Sequence, residues 1–301
     1  MRNNTAVGVA HLFDYLEAMR AGRMDGSAEP AVERTARSVI VADAQSGTAQ
    51  VAFAAAFDDL VTATRATGLG MLTMRSSYTV GELGYYVRQL ADAGLIAVAG
   101  ANSPALMSFA GSSGPVLGTN PLAYACPRPG RRPIVVDQAS SQTAYVNIRQ
   151  AAENGEPIPS GWAVDAGGVP TTDASAALGG ALLPFGGYKG GNIALLVELL
   201  AVMSGAQWSL DAPAFDHGTA SPGVGMFVIA IDPSGFAEPL PQRLEAHFIR
   251  LGTELGLDMS VFEDIDPDSA TCPLDEQLYQ RLHAAANSTP PTGRHQGPHR
   301  A

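Results

Sequence analysis

A glycine-rich turn, Gly186-Gly-Tyr-Lys-Gly-Gly191, stands directly before an apolar segment. Its glycines would let backbone amides come close to a ligand, and a helix that starts here would add partial positive charge. Lys189 adds a full positive charge. No Ser or Thr follows the lysine, so the turn is not a Walker A loop, and its spacing does not follow the Rossmann fingerprint. It predicts an anion or phosphate site; a flexible turn with a solvated lysine is the alternative that this segment alone leaves open.

A second polar cluster, Asp137-Gln-Ala-Ser-Ser-Gln-Thr143, follows a short apolar run at residues 134–136. An acid at the end of a strand, followed by several hydroxyl side chains, suits recognition of a ribose, a phosphate or a nicotinamide amide. The alternative is a helix N-cap, in which the serines cap the segment that contains Tyr145 and Ile148.

The composition narrows the class of protein. The chain has 301 residues, 46% of them hydrophobic, which is enough to form a core and excludes wholesale disorder. Its net charge of −11 argues against a nucleic-acid partner, because an acidic chain repels phosphate backbones. The only cysteines, Cys126 and Cys272, have no metal-ligand spacing, and the six histidines are scattered. We therefore expect no metal site.

The hydropathy pattern argues against a membrane protein. The most apolar stretch, residues 193–203, is about half the length that a membrane-spanning helix requires, and it contains Glu198. The N-terminal residues lack the long apolar run of a secretory signal. These features predict a cytoplasmic protein with no membrane partner.

The scaffold that positions these clusters follows from the apolar periodicity. Helices are predicted over residues 10–23, 49–65, 83–93, 190–203, 243–255 and 274–286. Strands are predicted over residues 68–74, 95–101, 133–137 and 223–232. Strands that alternate with helices indicate an α/β fold. The helix at residues 190–203 is apolar on nearly every side except at Glu198, so we expect it to be buried.

Four motifs in this order and spacing resemble the malate/L-lactate dehydrogenase family of the non-Rossmann type. They are GTNPLAYACP (118–127), VVDQASS (135–141), IPSGWAVDAGGVPTTD (158–173) and LLPFGGYKGGNIALLVELLAVMSGA (182–206). The family includes malate and sulfolactate dehydrogenases and the reductases of Δ1-piperideine-2-carboxylate and Δ1-pyrroline-2-carboxylate. The resemblance implies a mixed sheet with flanking helices, NADPH or NADH as cofactor, a small-molecule substrate and a homodimer with active sites near the subunit interface.

The resemblance also implies a domain organisation and a cofactor site. We expect an N-terminal helical part over residues 1–67 that packs with 243–286, a cofactor-binding α/β domain over 68–242 and a disordered tail over 287–301. By position, the cofactor-contacting residues of the family fall on Ser103, Asp137, Gln138, Ala139, Ser140, Ser141, Gln142, Thr143, Tyr188 and Lys189.

The chain departs from the family where a proton would be supplied. Val7 stands in place of the proton-donating histidine of the family, and His11 in place of its carboxylate-binding arginine. Thr79 replaces a second family histidine. The chain also begins almost at the first family motif, so either its start is misassigned or this member is naturally shortened.

These departures shift the expected chemistry. Reduction of a ketone requires a proton from a group with a pKa near neutrality, whereas an iminium that is already protonated needs only a hydride. We therefore expect an NAD(P)H-dependent oxidoreductase that reduces a cyclic imine in preference to a 2-oxoacid. The candidates for proton handling or charge stabilisation are His11, Tyr15, Tyr78, Thr79 and Asp137. Two alternatives remain open: a cofactor-binding enzyme with a non-redox reaction, and a non-catalytic scaffold.

Overall fold

The computed structural model describes residues 5–112, 114–236, 240–262, 274 and 276–287. The chain divides into two compact units, Met1–Tyr15 with Ile265–Ala301, and Leu16–Asp264. The helices are α1 (Thr5–Arg20), α2 (Ala49–Thr67), α3 (Gly84–Asp92), α4 (Tyr145–Asn154), α5 (Ala174–Leu178), α6 (Tyr188–Ala201), α7 (Leu240–Leu255) and α8 (Glu276–Asn287). In the smaller unit, the guanidinium of Arg281 on α8 lies 4.1 Å from the ring centroid of Phe13 on α1.

A seven-stranded mixed sheet forms the centre of the larger unit, in the order β1-β2-β3-β10-β4-β5-β6. Its strands are β1 (Ala31–Ala36), β2 (Val39–Asp43), β3 (Leu69–Ser77), β4 (Ile96–Ala101), β5 (Leu122–Arg128), β6 (Arg131–Gln138) and β10 (Val224–Ile231). Strands β2 and β3 pair in parallel, and the other neighbours pair antiparallel. The predicted α/β fold with a mixed sheet and flanking helices is confirmed.

Helices α2 and α3 cover one face of this sheet. Alanines on α2 let it lie close to the strands, while Phe53 and Leu60 fill the space beside Leu72 of β3 and Tyr86 of α3. Helix α2 ends at Gly68, whose φ of 81° lies in the left-handed region that favours glycine. The helices predicted over residues 49–65, 83–93 and 190–203 are confirmed as α2, α3 and α6.

The opposite face of the sheet is only partly covered. Helix α6 packs there on β4 and β10, and a Cβ at Gly100 would collide with the ring of Phe227 and press against Val197 of α6. Away from α6, several apolar side chains on this face are half-buried or exposed. They include Val39, Val41, Val98, Val136 and Tyr124, which is 45% exposed.

Helix α6 corrects one prediction, because the helix is not buried all round. Its one acidic residue, Glu198, is only 2% exposed, whereas Leu195, Leu196 and Leu199 are 38%, 56% and 49% exposed. The face that packs inward carries mostly small residues, including Gly190, Gly191, Ala194 and Ala201. Close packing therefore selects the small residues, and the large apolar ones point outward.

The connection between β4 and β5 and the residues between β6 and α6 add a second, smaller layer. Strands β7 (Ala163–Val164), β8 (Pro170–Thr171) and β9 (Ala181–Leu182) form a three-stranded sheet in the order β8-β7-β9. A separate apolar cluster, including Met107, Ile148 and Leu182, holds this layer together. These connecting residues therefore form a packed layer of their own.

Two features of the ends of the chain complete the description. The first 67 residues contain the hairpin of β1 and β2 as well as the expected helices; five of the six residues of β1 are exposed, so its sequence carries little apolar alternation. Of the tail predicted at 287–301, Asn287 ends α8 and the remainder lies outside the described residues.

None of the helices described here combines the length and the apolarity needed to cross a bilayer.

An ion pair fastens α7 to the sheet. Glu245 of α7 accepts from Nε of Arg128 at 2.6 Å and from Nη2 at 2.9 Å. The Arg128 side chain is 3% exposed and the Glu245 side chain 15%. The hydrogen bond from Arg128 lowers the pKa of Glu245 below its ordinary value of 4.5.

We predict that Glu245→Gln destabilises the fold by about 1.5–3 kcal/mol near neutral pH, because charge-assisted hydrogen bonds to a buried guanidinium are lost. A carboxyl whose pKa is lowered by folding stabilises above its ordinary pKa and loses that contribution as the pH falls through the folded value. The gap between wild type and variant in urea unfolding should therefore close below pH 4.5.

The matched control is Glu254→Gln, which removes an exposed pair with Arg250 on the same helix. It should change stability by less than about 0.5 kcal/mol at any pH. An equal effect of the two variants would show that the Arg128 pair does not fasten α7.

Candidate functional site

Several chain segments meet at one end of the central sheet. Strand β10 begins where β3 and β4 end, since Val224 pairs with Ser77 and Met226 with Ala101. Strand β5 begins where β6 ends, because Leu122 pairs with Gln138. The segments that carry Thr79, Ser103 and Asp137 through Thr143 therefore leave the sheet at the same end.

Hydrogen bonds join the three segments to which the family resemblance assigns the cofactor. Thr119 N donates to Ser103 Oγ at 3.3 Å, and Ser140 N donates to Thr119 O at 2.8 Å. Phe185 N donates to Ser140 O at 3.0 Å, and Phe185 lies just before the Tyr188–Lys189 turn. The structure thus brings Ser103, the 137–143 segment and the turn before α6 into one cluster.

The turn before α6 has the geometry of an anion cradle. Gly186 and Gly187 have φ values of 58° and 66°, and Gly187 caps the helix without any side chain. The first N–H groups of a helix have no partner within the helix, so they remain available to a ligand. A Cβ at Gly190 would collide with Phe185 O, so this position requires glycine.

Two exposed side chains complete the cradle. Tyr188 is 69% exposed, and Lys189 is also exposed. Lys189 is the only lysine of the chain, and in the part of the chain that the structure describes it forms no ion pair. A ring face, a cation and helix N–H groups suit a nicotinamide nucleotide, whose phosphates need positive charge and whose rings need flat surfaces.

Asp137 lies at the end of β6, and its carboxylate makes a hydrogen bond to the start of α3. Its Oδ2 accepts from Gly84 N at 2.8 Å, which anchors the first turn of α3 to the end of β6. Its side chain is half-buried. An anionic acceptor at a helix N-terminus is electrostatically favourable, so the carboxylate stabilises α3.

The hydroxyl groups that follow Asp137 point into the protein. Ser140 Oγ donates to Asn120 O and Ser141 Oγ to Thr143 O, both at 2.7 Å. Thr143 Oγ1 accepts from Asn147 Nδ2 at 2.9 Å. Helix α4 begins at Ala144 without a side-chain cap, so the interpretation of the serines as its N-caps is wrong.

The remaining members of this segment differ in exposure. The side chains of Gln138 and Gln142 are exposed, and Ala139 is half-buried. The backbone N–H of Gln142 donates to Leu183 O at 2.8 Å, which adds a further link to the turn before α6. Of the whole segment, therefore, the two glutamines offer side-chain polar groups to solvent.

The predicted proton-handling residues fall into two groups. In the larger unit, Tyr78 is 3% exposed and donates from its hydroxyl to Phe215 O at 3.1 Å. Thr79 is half-buried, and its Oγ1 accepts from Gly81 N at 3.3 Å. His11 and Tyr15 lie on α1 in the smaller unit, where His11 Nδ1 is 2.8 Å from Asp14 Oδ2.

A buried polar cluster was missed by the sequence analysis. Glu198 of α6 accepts hydrogen bonds from Asn120 and Ser209, and all three residues are buried. The available signal was a single acid, Glu198, inside a helix that the sequence predicts to be apolar and buried. Asn120 enters the sequence analysis only as part of the motif at residues 118–127.

The described residues include no group of three His, Cys, Asp or Glu side chains close enough to hold a metal ion. Burial raises the pKa of the Cys126 thiol.

Comparison with known proteins decides the family. Residues 1–254 match the family described as malate/L-lactate dehydrogenase. The chain belongs to this family. The resemblance seen in the four sequence motifs is thereby confirmed.

Two relatives illustrate the range of substrates in the family. The chain is 40% identical over 241 residues to a Delta(1)-pyrroline-2-carboxylate reductase of Pseudomonas fluorescens, covering 79% of this chain and 72% of the relative. It is 38% identical over 243 residues to a (2R)-3-sulfolactate dehydrogenase (NADP(+)) of Chromohalobacter salexigens, covering 80% and 73%. A crystal structure of delta1-piperideine-2-carboxylate reductase from Pseudomonas syringae superposes with a TM-score of 0.81 at 33% identity, covering 91% of this chain and 85% of that one.

Proposed function

We propose that this protein is an NAD(P)H-dependent oxidoreductase that reduces a small cyclic imine, and that it reduces 2-oxoacids less well. The observation that carries the proposal is the hydrogen-bonded cluster that joins Ser103, Ser140 and the turn before Lys189. The relatives named for reduction of Delta(1)-pyrroline-2-carboxylate and for NADP(+)-dependent oxidation of sulfolactate support this choice of chemistry.

Each part of the cluster has a role in this proposal. The bound nicotinamide nucleotide supplies the hydride. Lys189 and the N–H groups of the first turn of α6 bind its phosphates, and the exposed Tyr188 ring gives it a flat surface. Gln138 and Gln142 offer amide groups to its polar atoms. Because the reaction draws on a nicotinamide nucleotide pool, we place the activity in the cytoplasm.

The preference for an imine rests on the residues that stand where the family has histidines. Val7 carries no acid, and a threonine hydroxyl such as that of Thr79 is too weak an acid to donate a proton alone. An iminium carries its proton already, so the chain has only to stabilise positive charge beside the hydride donor. The negative charge of Asp137 lies at the correct end of the sheet for this role.

This proposal also includes weaker binding of a substrate carboxylate. Arginine would bind a carboxylate with two parallel hydrogen bonds, which a histidine cannot form. His11 stands at that position and its ring already faces Asp14. We therefore propose weaker carboxylate binding than in relatives that have the arginine.

We predict that Lys189→Ala weakens binding of NADPH by roughly ten- to a hundredfold, since a charge-assisted hydrogen bond to phosphate is lost. Because Lys189 is the only lysine, an amine-acetylating reagent labels just this side chain and the N-terminal amine. NADPH should protect Lys189 from acetylation, as read by peptide mass spectrometry, and nicotinamide fluorescence gives the dissociation constant.

The control for charge is Arg37→Ala, which removes an exposed cation beside β1 and should leave binding unchanged. Equal acetylation with and without NADPH would contradict the cradle. Absence of any NADPH binding by the wild type would support the scaffold alternative instead.

We predict that the purified protein oxidises NADPH faster with Δ1-piperideine-2-carboxylate than with pyruvate. Thr79→His should raise the rate with pyruvate by up to roughly a hundredfold, because a positioned acid supplies the missing proton. Thr79→Asn is the matched control, being polar without a titratable group. The rate of NADPH oxidation by the wild type, Thr79→His and Thr79→Asn is measured from the absorbance of NADPH.

Faster reduction of pyruvate by the wild type would overturn the preference for imines. NADPH binding without oxidation across a panel of imines and oxoacids would favour a non-redox reaction.

We also propose that the protein is a homodimer whose interface includes α6. The leucines exposed on α6 continue into Met203, Trp208 and Leu210, which are 62%, 47% and 66% exposed. Soluble monomers seldom expose large contiguous apolar patches, so we expect a second copy of the chain to cover this surface. The same helix begins with Tyr188 and Lys189, which would place the cradle near the interface.

We predict that Leu196→Glu shifts the protein from dimer to monomer in size-exclusion chromatography with light scattering, against a chain mass of 31.1 kDa. A charge in the centre of an apolar interface is costly to bury. Val51→Glu, on the exposed side of α2, is the control and should leave the mass unchanged. A wild-type monomer at micromolar concentration would refute the interface.

A further inference from the structure

Glu198 is the most enclosed acidic side chain near the site, at 2% exposure. Its Oε1 accepts from Ser209 N at 2.6 Å. Its Oε2 accepts from Ser209 Oγ at 2.6 Å and from Asn120 Nδ2 at 2.8 Å. Within the described ranges no Lys, Arg or His pairs with it, so neutral donors alone stabilise the carboxylate.

Asn120 connects this carboxylate to the cofactor segments. Its φ of 33° is unusual for a residue other than glycine, so the turn needs support from its surroundings. Its side-chain Nδ2 binds both Glu198 and Ala194 O, which ties the turn to two residues of α6. Its main-chain O accepts the hydroxyl of Ser140 at 2.7 Å.

The contacts close into a ring. Glu198 is hydrogen-bonded to Asn120, and Asn120 is hydrogen-bonded to Ser140. Ser140 O accepts from Phe185 N, and the chain continues from Phe185 through the turn into α6, which carries Glu198. Ser209 adds a second link, because its O accepts from Ala105 N at 2.9 Å, two residues after Ser103. Glu198 therefore lies where all three cofactor segments are attached to one helix.

We propose that Glu198 is a positioning residue for the nicotinamide nucleotide. Through Asn120 and Ser209 it sets the spacing between the 137–143 segment, the loop after Ser103 and the Tyr188–Lys189 turn. Glu198 itself does not touch the cofactor. The inference rests on the proposed function, because it assigns the purpose of the ring to the cofactor that the ring would hold.

A carboxylate is required because every neighbour donates a hydrogen bond. A glutamine at position 198 has one acceptor oxygen and one donor NH2 group. In either orientation of its amide, the NH2 group would point at another donor, which is Ser209 N–H in one case and Asn120 NH2 in the other. Asn120 could restore the pairing only by turning its amide over, which would give up the bond to Ala194 O. Among the residues that the structure describes, Asn120 Oδ1 is buried next to Gly118 and has no hydrogen-bond partner, so the amide orientation depends on the two bonds of Nδ2.

The decisive comparison is Glu198→Gln against Val197→Ala. Val197 is 1% exposed on the same helix but packs on the central sheet, outside the ring. Glu198→Gln should raise the NADPH dissociation constant and the cofactor KM about tenfold, while kcat falls less. Val197→Ala should lower the melting temperature at least as much and leave the dissociation constant within about twofold.

Hydrogen exchange of the protein without cofactor tests the ring independently of the proposed function. The amides of Ser140, Gln142 and Phe185 should exchange about tenfold faster in Glu198→Gln and unchanged in Val197→Ala. Should Glu198→Gln fail to fold, Ser209→Ala is the substitute, because it removes a single donor to Glu198. It should increase the exchange rates of the same three amides by a smaller factor.

The outcomes separate the two proposals. Wild-type protein that does not bind NADPH, with the exchange pattern as expected, would refute the proposed function and leave the ring intact. Normal NADPH binding by Glu198→Gln, or unchanged exchange at the three amides, would overturn the positioning role.

Discussion

Ser140 uses all of its hydrogen-bonding groups inside the protein, and the arrangement of the site depends on this. Its N–H binds Thr119 O, its C=O accepts from Phe185 N and its hydroxyl donates to Asn120 O. At 1% exposure, none of these groups has access to water, so each must be satisfied by the protein. Segments that lie far apart along the chain are consequently held at fixed spacing around one residue.

We assign three roles to helix α6, whose faces differ in side-chain size. Its small residues allow close packing on β4 and β10, so its one carboxylate is carried into the interior with them. The same packing turns the leucines outward, where they form the apolar surface that we assign to the dimer. Its N-terminus meanwhile presents Tyr188 and Lys189 at the end of the sheet. The cofactor binding, the positioning role and the dimer contact that we propose would therefore all depend on this one helix.

The chemistry of the site follows from what the chain lacks as well as from what it has. We propose that the cradle and the cluster around Ser140 bind a nicotinamide nucleotide, and the family resemblance implies that Val7 and Thr79 stand where the family has histidines. Hydride transfer to a protonated imine requires a cofactor site and a stabilising negative charge, the roles that we propose for the cradle and for Asp137, and no further acid. This balance makes imine reduction the reaction that best fits the residues.

The sequence by itself determined the family, the α/β class and helices α2, α3 and α6, because each depends on local periodicity or a contiguous motif. The anion cradle at Lys189 is predicted from such a contiguous motif and stays a prediction. Only the tertiary structure decided that Asp137 anchors Gly84, 53 residues away, and that Asn120 meets Glu198, 78 residues away. It also decided which face of α6 is buried and that β1 joins the sheet. Hydrogen bonds between distant residues leave no periodic signal, and the burial of a helix face depends on what the rest of the chain places against it.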